Sequence, residues 1–174
     1  MFSIEKCKVP DNTMLARYTV NGTYTDCYTT EISEQICFGE FVFAFYTTFL
    51  FKLERLILQW VVSKPSTDSQ ARRLADGNIE KFAAWTVESR SENELLMCDF
   101  AGRTHSWLMI KGNGARTQLY FGSAVVPIQN SKTRELSLGS RVQALLGFHK
   151  IYSVLLLYSA RSRIKNRALQ KENS

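Results

Sequence analysis

The chain has 174 residues, of which 45% are hydrophobic, 12% aromatic and 22% charged. These proportions exclude collagen-like, low-complexity and wholly disordered proteins, and the length predicts a single domain over residues 1–174. Lysine and arginine exceed aspartate and glutamate by six, and much of the excess lies in a basic stretch at 161–174. Such a stretch is more typical of a helix end than of a nucleic-acid-binding arm, so we expect no nucleic-acid partner.

The N-terminus and the cysteines bear on the compartment. The first ten residues mix charged with apolar side chains and lack the apolar core of a secretion signal, which predicts a cytoplasmic protein. Cys7, Cys27, Cys37 and Cys98 form no C-x-x-C pair, and the chain has two histidines. This spacing predicts reduced thiols and indicates neither a metal site nor a cofactor.

Residues 14–32 are rich in threonine, tyrosine and valine, which favour strands. The pair Asn21-Gly22 predicts a turn, and residues 23–30 after it alternate with a period of two. Four side chains should therefore share one face of a strand: Tyr24, Asp26, Tyr28 and Thr30.

The densely apolar segment 34–62 predicts helix, and its part 41–62 is long enough to cross a membrane. Charges near its centre, Lys52, Glu54 and Arg55, would each cost about 2.5–3.5 kcal/mol in a bilayer. We therefore expect an amphipathic helical segment, with a break at Thr47-Thr48 because β-branched residues are weak helix formers.

The remaining chain predicts a short helix, a meander and a long helix. Residues 68–75 are typical of a capped helix that ends before Gly77. The strand-like runs 81–90, 94–100, 104–111 and 117–128, separated by short turns, predict an antiparallel meander. From 138 to about 170 the period returns to that of a helix, with apolar residues in two sectors.

Three motifs carry a resemblance: LLMCDFAGRTHSWLMI at 95–110, LYFGSAVVP at 119–127 and FHKIYSVLLLYSA at 148–160. With the order of elements, they resemble a bacterial domain-of-unknown-function family related to the START and polyketide-cyclase superfamily, over about residues 40–160. The resemblance implies an α+β helix-grip fold, in which an antiparallel meander wraps a long C-terminal helix and helices are inserted after the first strand. It also implies an apolar cavity for a hydrophobic or amphipathic small molecule.

Aromatic side chains with a polar tip are the main candidates for lining such a cavity, because the tip can orient an apolar guest. The candidates are Tyr24, Tyr28, Tyr46, Trp85, Trp107, Tyr120 and Tyr152, together with Arg103 at a hairpin tip and His149 on the long helix. The alternative is an ordinary core, in which these tips bond to the backbone. His149 lies among leucines, which is typical of a core or interface histidine.

A polar hairpin around Asp99 and His105 carries the catalytic hypothesis. A carboxylate and an imidazole that orient each other can act as a general base, as in a cyclase or isomerase. The alternative is that Asp99 binds backbone groups of the turn or pairs with Arg103. Whether the protein is an enzyme is therefore open at this point.

The long helix supports a third hypothesis, because a helix with two apolar sectors must bury two sides. It could join two copies of the chain in a homo-oligomer. It could also lie on a membrane, with Arg161, Arg163, Lys165 and Arg167 at the lipid surface.

Overall fold

The computed structural model describes residues 4–20, 22–52, 66–129, 136–137 and 140–172, without the side chains of 128–129, 136–137, 140–149 and 171–172. The strands of this part are β1 (Glu5–Lys6), β2 (Tyr24–Ile32), β3 (Lys81–Phe82), β4 (Trp85–Arg90), β5 (Glu94–Asp99), β6 (Thr104–Asn113), β7 (Arg116–Val125), β8 (Ile128–Gln129) and β9 (Leu136–Ser137). The helices are α1 (Phe38–Tyr46), α2 (Asp68–Ala75) and α3 (Ser140–Glu172), with a 3₁₀ helix at Met14–Tyr18.

The predicted α+β class is confirmed. The first seven strands form an antiparallel sheet in the order β1-β2-β7-β6-β5-β4-β3, while β8 and β9 pair with each other. Strands β4 to β7 are neighbours in chain order, as a meander requires. Helices α1 and α2 follow β2, the first long strand, and α3 packs against β2 and β7.

The predicted break at Thr47-Thr48 is also confirmed. Helix α1 ends at Tyr46, and residues 49–52 are helical again. The hydroxyl of Thr47 donates back to the Phe43 carbonyl over 2.6 Å. The hydroxyl of Thr48 accepts from the Phe51 amide over 3.2 Å and so caps the next helix. Residues 53–65, which include the predicted charges Glu54 and Arg55, lie outside the described part.

Helix α2 begins where its sequence predicts. The Thr67 hydroxyl accepts from the Gln70 amide, and the Gln70 side chain accepts from the Thr67 amide. This reciprocal pair is a capping box, which satisfies two amide donors at the helix start. The helix ends before Gly77, whose φ of 77° is the left-handed conformation that glycine adopts without strain.

Two predictions from strand propensity need correction. Met14–Tyr18 forms a 3₁₀ helix, because Leu15 is fully buried against the sheet and this packing overrides local preference. Strand β7 ends at Val125 instead of 128, since Pro127 has no amide to donate to a ladder and the Val126 amide donates to the Arg103 carbonyl.

Different segments of the chain pack against the two faces of the sheet. The inner face packs against α1 and α3, and its core contains Phe41, Phe45, Leu108, Phe121 and Leu157. The outer face is covered by the N-terminal segment, defined here as residues 7–18. Both faces are therefore buried over much of their area.

Gly122 permits the close packing on the outer face. A β-carbon at this position would lie 2.5 Å from Leu15 Cδ2 and 3.1 Å from Trp107 Cε3. No side chain fits at these distances, so the glycine inside β7 marks a close approach of the N-terminal segment to the sheet.

Helix α3 has the predicted two sectors over residues 150–170, the part whose side chains are described. Ser153, Leu156, Leu157 and Ala160 are buried, whereas Ile151, Leu155 and Tyr158 are exposed. Among the described residues, no helix is both long enough and apolar enough to cross a bilayer.

Candidate functional site

The predicted lining residues are divided between the two faces of the sheet. The inner face, or the core packed on it, contains Tyr24, Tyr28, Tyr46, Trp85 and Tyr152. The outer face contains Trp107 and Tyr120. Arg103 lies in the turn between β5 and β6, and the side chain of His149 lies outside the described part. These residues therefore do not surround one common cavity in the described structure.

Asp99 and His105 do not form the predicted pair. In the register of β5 and β6, Cys98 lies opposite His105, so alternation places Asp99 on the other face of the sheet. The Asp99 carboxylate accepts from the Arg103 amide over 2.9 Å. This is the turn contact that the sequence offered as the alternative.

The carboxylate that His105 contacts belongs to Glu88. Its Oε2 atom lies 2.8 Å from His105 Nδ1. The phenol of Tyr18 donates to Glu88 Oε1 over 2.7 Å, and the Tyr18 ring stacks on the imidazole with 4.0 Å between centroids. Arg17 lies 3.4 Å from the same Glu88 oxygen. The N-terminal segment thus holds both members of the pair.

Cys98 completes this group, which we call the outer-face cluster: Arg17, Tyr18, Glu88, Cys98 and His105. The Cys98 sulfur, an imidazole nitrogen of His105 and a Glu88 oxygen all lie within 4.8 Å of one another. Burial raises the pKa of the Cys98 thiol, and the nearby charges of Asp99 and Glu88 raise it further. A thiol of this kind is a poor nucleophile at neutral pH, because the thiolate is the reactive form.

A second polar group lies on the inner face around Asp26, which is 3% exposed. Ser123 Oγ donates to Asp26 Oδ1 over 2.5 Å, and the Tyr24 phenol donates to Oδ2 over 3.1 Å. Burial raises the pKa of Tyr24, followed by the charge and hydrogen bond of Asp26. Both carboxylate oxygens are thus satisfied within the sheet, which is typical of a structural network.

A groove lies between the loop after β2, α1, α2 and the last turns of α3, with a volume of about 810 Å³. Its lining is mixed: the apolar residues are Ile36, Ala44, Ile164 and Ala168, and the polar ones are Glu34, Gln35, Glu40, Arg72, Arg167 and Gln170.

Two cations meet at the wall of this groove. The guanidinium carbons of Arg72 and Arg167 lie 3.7 Å and 4.8 Å from the centre of the Phe43 ring. Burial lowers the pKa of Arg167, and the charges of Arg163 and Arg72 lower it further, while Glu40 acts in the opposite direction. The groove is therefore a place where like positive charges are held close together.

No family model, curated protein or solved structure matches the chain. The resemblance to the START and polyketide-cyclase superfamily therefore stays a prediction.

Sequence reasoning gave no site role to Arg17, Tyr18, Arg72, Glu88 or Cys98, and it expected Arg167 at a lipid surface. The place of Cys98 could have been predicted from the sequence, because a tight hairpin at 100–103 pairs it with His105. Glu88 lies at a shift of register between Val87 and Ser89, which no pattern in the sequence reveals. The two arginines come together only through the packing of α2 and α3 around α1, for which the sequence contains no local signal.

Proposed function

We propose that the protein binds an amphipathic small molecule with an anionic head group, in the groove between α1, α2 and α3. The observation that carries this proposal is the convergence of Arg72 and Arg167 on Phe43 at the groove wall. The proposal keeps the class of ligand expected from the sequence. It places the site outside the sheet core, where Phe41, Phe45 and Tyr46 fill the space.

The charges of the groove support an anion. Burial is the main cause that lowers the pKa of Arg167, and repulsion from the positive charges of Arg163 and Arg72 lowers it further. A carboxylate or phosphate between them would relieve this repulsion and would gain charge-assisted, planar hydrogen bonds from the guanidinium groups. Glu34 and Glu40 also line the groove, and they would select against a ligand that is anionic along its whole length.

The shape and the apolar residues support a hydrocarbon tail. A volume of about 810 Å³ lies in the range of small-molecule sites. Ile36, Ala44 and Ile164 offer apolar surface beside the arginines, so a tail could pack there while the head group stays at the basic wall.

Calorimetric titration with dodecanoate tests the proposal. We expect one dodecanoate per chain, and we expect 1-dodecanol, which lacks the charge, to bind at least tenfold more weakly. Arg72→Gln and Arg167→Gln should each weaken dodecanoate binding about tenfold, a loss of about 1.4 kcal/mol. Arg73→Gln is the matched control, because Arg73 is an exposed neighbour on the same helix and does not line the groove.

The proposal fails if dodecanoate does not bind, or if Arg73→Gln weakens binding as much as the two groove variants. Equal affinities for dodecanoate and 1-dodecanol would also contradict it. Thermal unfolding of each variant separates a loss of binding from a loss of fold.

Self-association is a second candidate, which the exposed row on α3 favours. Ile151, Leu155 and Tyr158 lie on one side of the helix and are 62%, 46% and 55% exposed. Rows of this kind commonly pack against a second copy. Light scattering should then give a dimer for the native chain and a monomer for Leu155→Glu. Lys150→Glu, at a nearby exposed position, is the control and should remain a dimer. A native chain that is monomeric at all concentrations would contradict the dimer.

The other two hypotheses from the sequence receive less support. A general base made of Asp99 and His105 needs both groups in one cavity, and they lie on opposite faces. A lipid-facing row of cations needs Arg161 at the surface, but Arg161 is buried and its Nε donates to the Glu31 carbonyl. Neither is therefore proposed.

A further inference from the structure

The outer-face cluster brings three metal-binding side chains together on three adjacent strands. Cys98 on β5 lies opposite His105 on β6, and Glu88 on β4 reaches the same place. Thiolate, imidazole and carboxylate are the three donor types that zinc takes in proteins. We propose that Glu88, Cys98 and His105 form a zinc site. The site lies on the face of the sheet away from the groove, so it does not depend on the proposed ligand.

His105 presents Nδ1 to Glu88, so Nδ1 is the nitrogen that an ion shared with Glu88 and Cys98 would bind. His105 is 4% exposed, so a metal there would be held by a buried imidazole. Its Nε2 atom lies on the far side of the ring from the Glu88 oxygen and takes no part in the site. The ring is already held in position, since Glu88 contacts Nδ1 and Tyr18 stacks on its face.

The charges of the cluster match a divalent cation. A Cys98 thiolate and a Glu88 carboxylate would supply two negative charges, and His105 binds metals as the neutral imidazole. Together they would neutralise Zn²⁺, and the proton of the thiol would leave for solvent as the metal binds. Glu88 is exposed, which offers an entry path from solvent, and a water would complete four-coordinate zinc.

The geometry requires a small adjustment. The donor atoms now lie within 4.8 Å of one another. Zinc bonds of about 2.0 to 2.3 Å in a tetrahedron would hold them about 3.5 Å apart. His105 Nδ1 and Glu88 Oε2, now 2.8 Å apart, would open slightly, and the wider separations would close by about 1 Å. Side-chain rotation can supply both changes, because all three groups project from the same face of neighbouring strands.

Metal titration of the full chain tests the site. After treatment with a chelator, we expect one Zn²⁺ per chain to bind in the presence of excess Mg²⁺, and Co²⁺ to give a thiolate-to-metal charge-transfer band. Cys98→Ser should abolish this band and weaken Zn²⁺ binding at least tenfold, and Glu88→Gln should weaken it about 10- to 100-fold. Cys37→Ser and Cys7→Ser are the controls, and both should keep the band and the affinity.

Zinc should also stabilise the fold, because a metal that binds only the folded state shifts unfolding by mass action. At a 100-fold excess over its Kd, we expect Zn²⁺ to raise the Tm of the native chain by about 5–10 °C. The same Zn²⁺ concentration should raise the Tm of Cys98→Ser by at most about half as much, because a site weakened at least tenfold is in at most tenfold excess.

A test on the native chain covers the case in which the variants do not fold. Zn²⁺ should protect Cys98 from iodoacetamide by at least tenfold in rate, while the exposed Cys37 reacts at the same rate with and without metal. Peptide mass spectrometry distinguishes the two cysteines. The proposal is overturned if Cys98 gains no protection, if no charge-transfer band forms, or if Cys98→Ser binds Zn²⁺ as tightly as the native chain.

Discussion

Gly122 lies where the N-terminal segment approaches the sheet closely. An added β-carbon would lie 2.5 Å from Leu15 Cδ2 and 2.9 Å from the Asp26 carbonyl oxygen. The leucine tip could rotate away, but the carbonyl belongs to the paired strand β2 and cannot move without breaking the ladder. The side chain at position 122 is therefore limited by backbone on one side and by packing on the other.

We expect Gly122→Ala to lower the free energy of unfolding by about 1–3 kcal/mol, the usual cost of overpacking a core. Urea unfolding measures this change. Gly112→Ala is the matched control, because nothing lies within 4 Å of a β-carbon there. Equal effects of the two substitutions would contradict the close approach described here.

Single residues of the site were only partly predictable. Alternation correctly places His105, Trp107 and Met109 on one face of β6. Their partners come from other strands and from the N-terminal segment, and those contacts depend on strand order, on the register shift in β4 and on a 3₁₀ helix. None of these is a periodic feature of the sequence.

At the scale of elements, the N-terminal segment is fastened to the sheet by Glu94. Its Oε2 atom accepts from the Met14 amide and from Trp107 Nε1, each over 2.8 Å. Trp107 is fully buried, so its indole N–H depends on this carboxylate. One side chain on β5 thus satisfies a donor from the sheet and a donor from the segment that covers it.

Glu94→Ala should destabilise the protein by about 1–3 kcal/mol, because it leaves the indole N–H buried without an acceptor. It should also release the N-terminal segment, which hydrogen exchange at the Met14 amide would detect. Glu92→Ala, at an exposed position two residues earlier, should change neither quantity. Unchanged exchange at Met14 in Glu94→Ala would contradict this role.

The elements themselves were largely predictable, because their signals are local. The capping pattern at the start of α2, the turns of the meander and the period of α3 all lie within short windows. The 3₁₀ helix was not predictable, since Leu15 takes its conformation from the sheet beneath it. Where a local pattern predicted the wrong element, contacts between residues distant in the sequence determined the structure.

At the scale of the whole molecule, tyrosines on both faces of the sheet make the free energy of unfolding depend on pH in the alkaline range. Burial is the main cause that raises the pKa of Tyr24, Tyr28 and Tyr120 above that of a free phenol. An unfolded chain ionises its tyrosines at about pH 10. Above that pH, the unfolded state loses protons that the folded state still holds, so unfolding becomes more favourable.

The free energy of unfolding should therefore be insensitive to these groups below about pH 9 and should fall as the pH rises above about 10. Tyr24→Phe should reduce the slope by up to about 1.4 kcal/mol per pH unit, since it removes one of the groups. Urea unfolding across this range measures the slope. Tyr158→Phe, at a site 55% exposed, is the control and should leave it unchanged. Identical slopes in both variants would contradict the assignment.

The edge strands of the sheet limit how copies of this protein can associate. Both outermost strands, β1 and β3, have two residues, and each contains a lysine, Lys6 or Lys81. Short, charged edges offer few free backbone groups to an incoming strand, which is how natural sheets resist fibril-like growth. Strand addition at these two strands is thus disfavoured, whereas the exposed row on α3 offers a surface for helix-to-helix contact between copies.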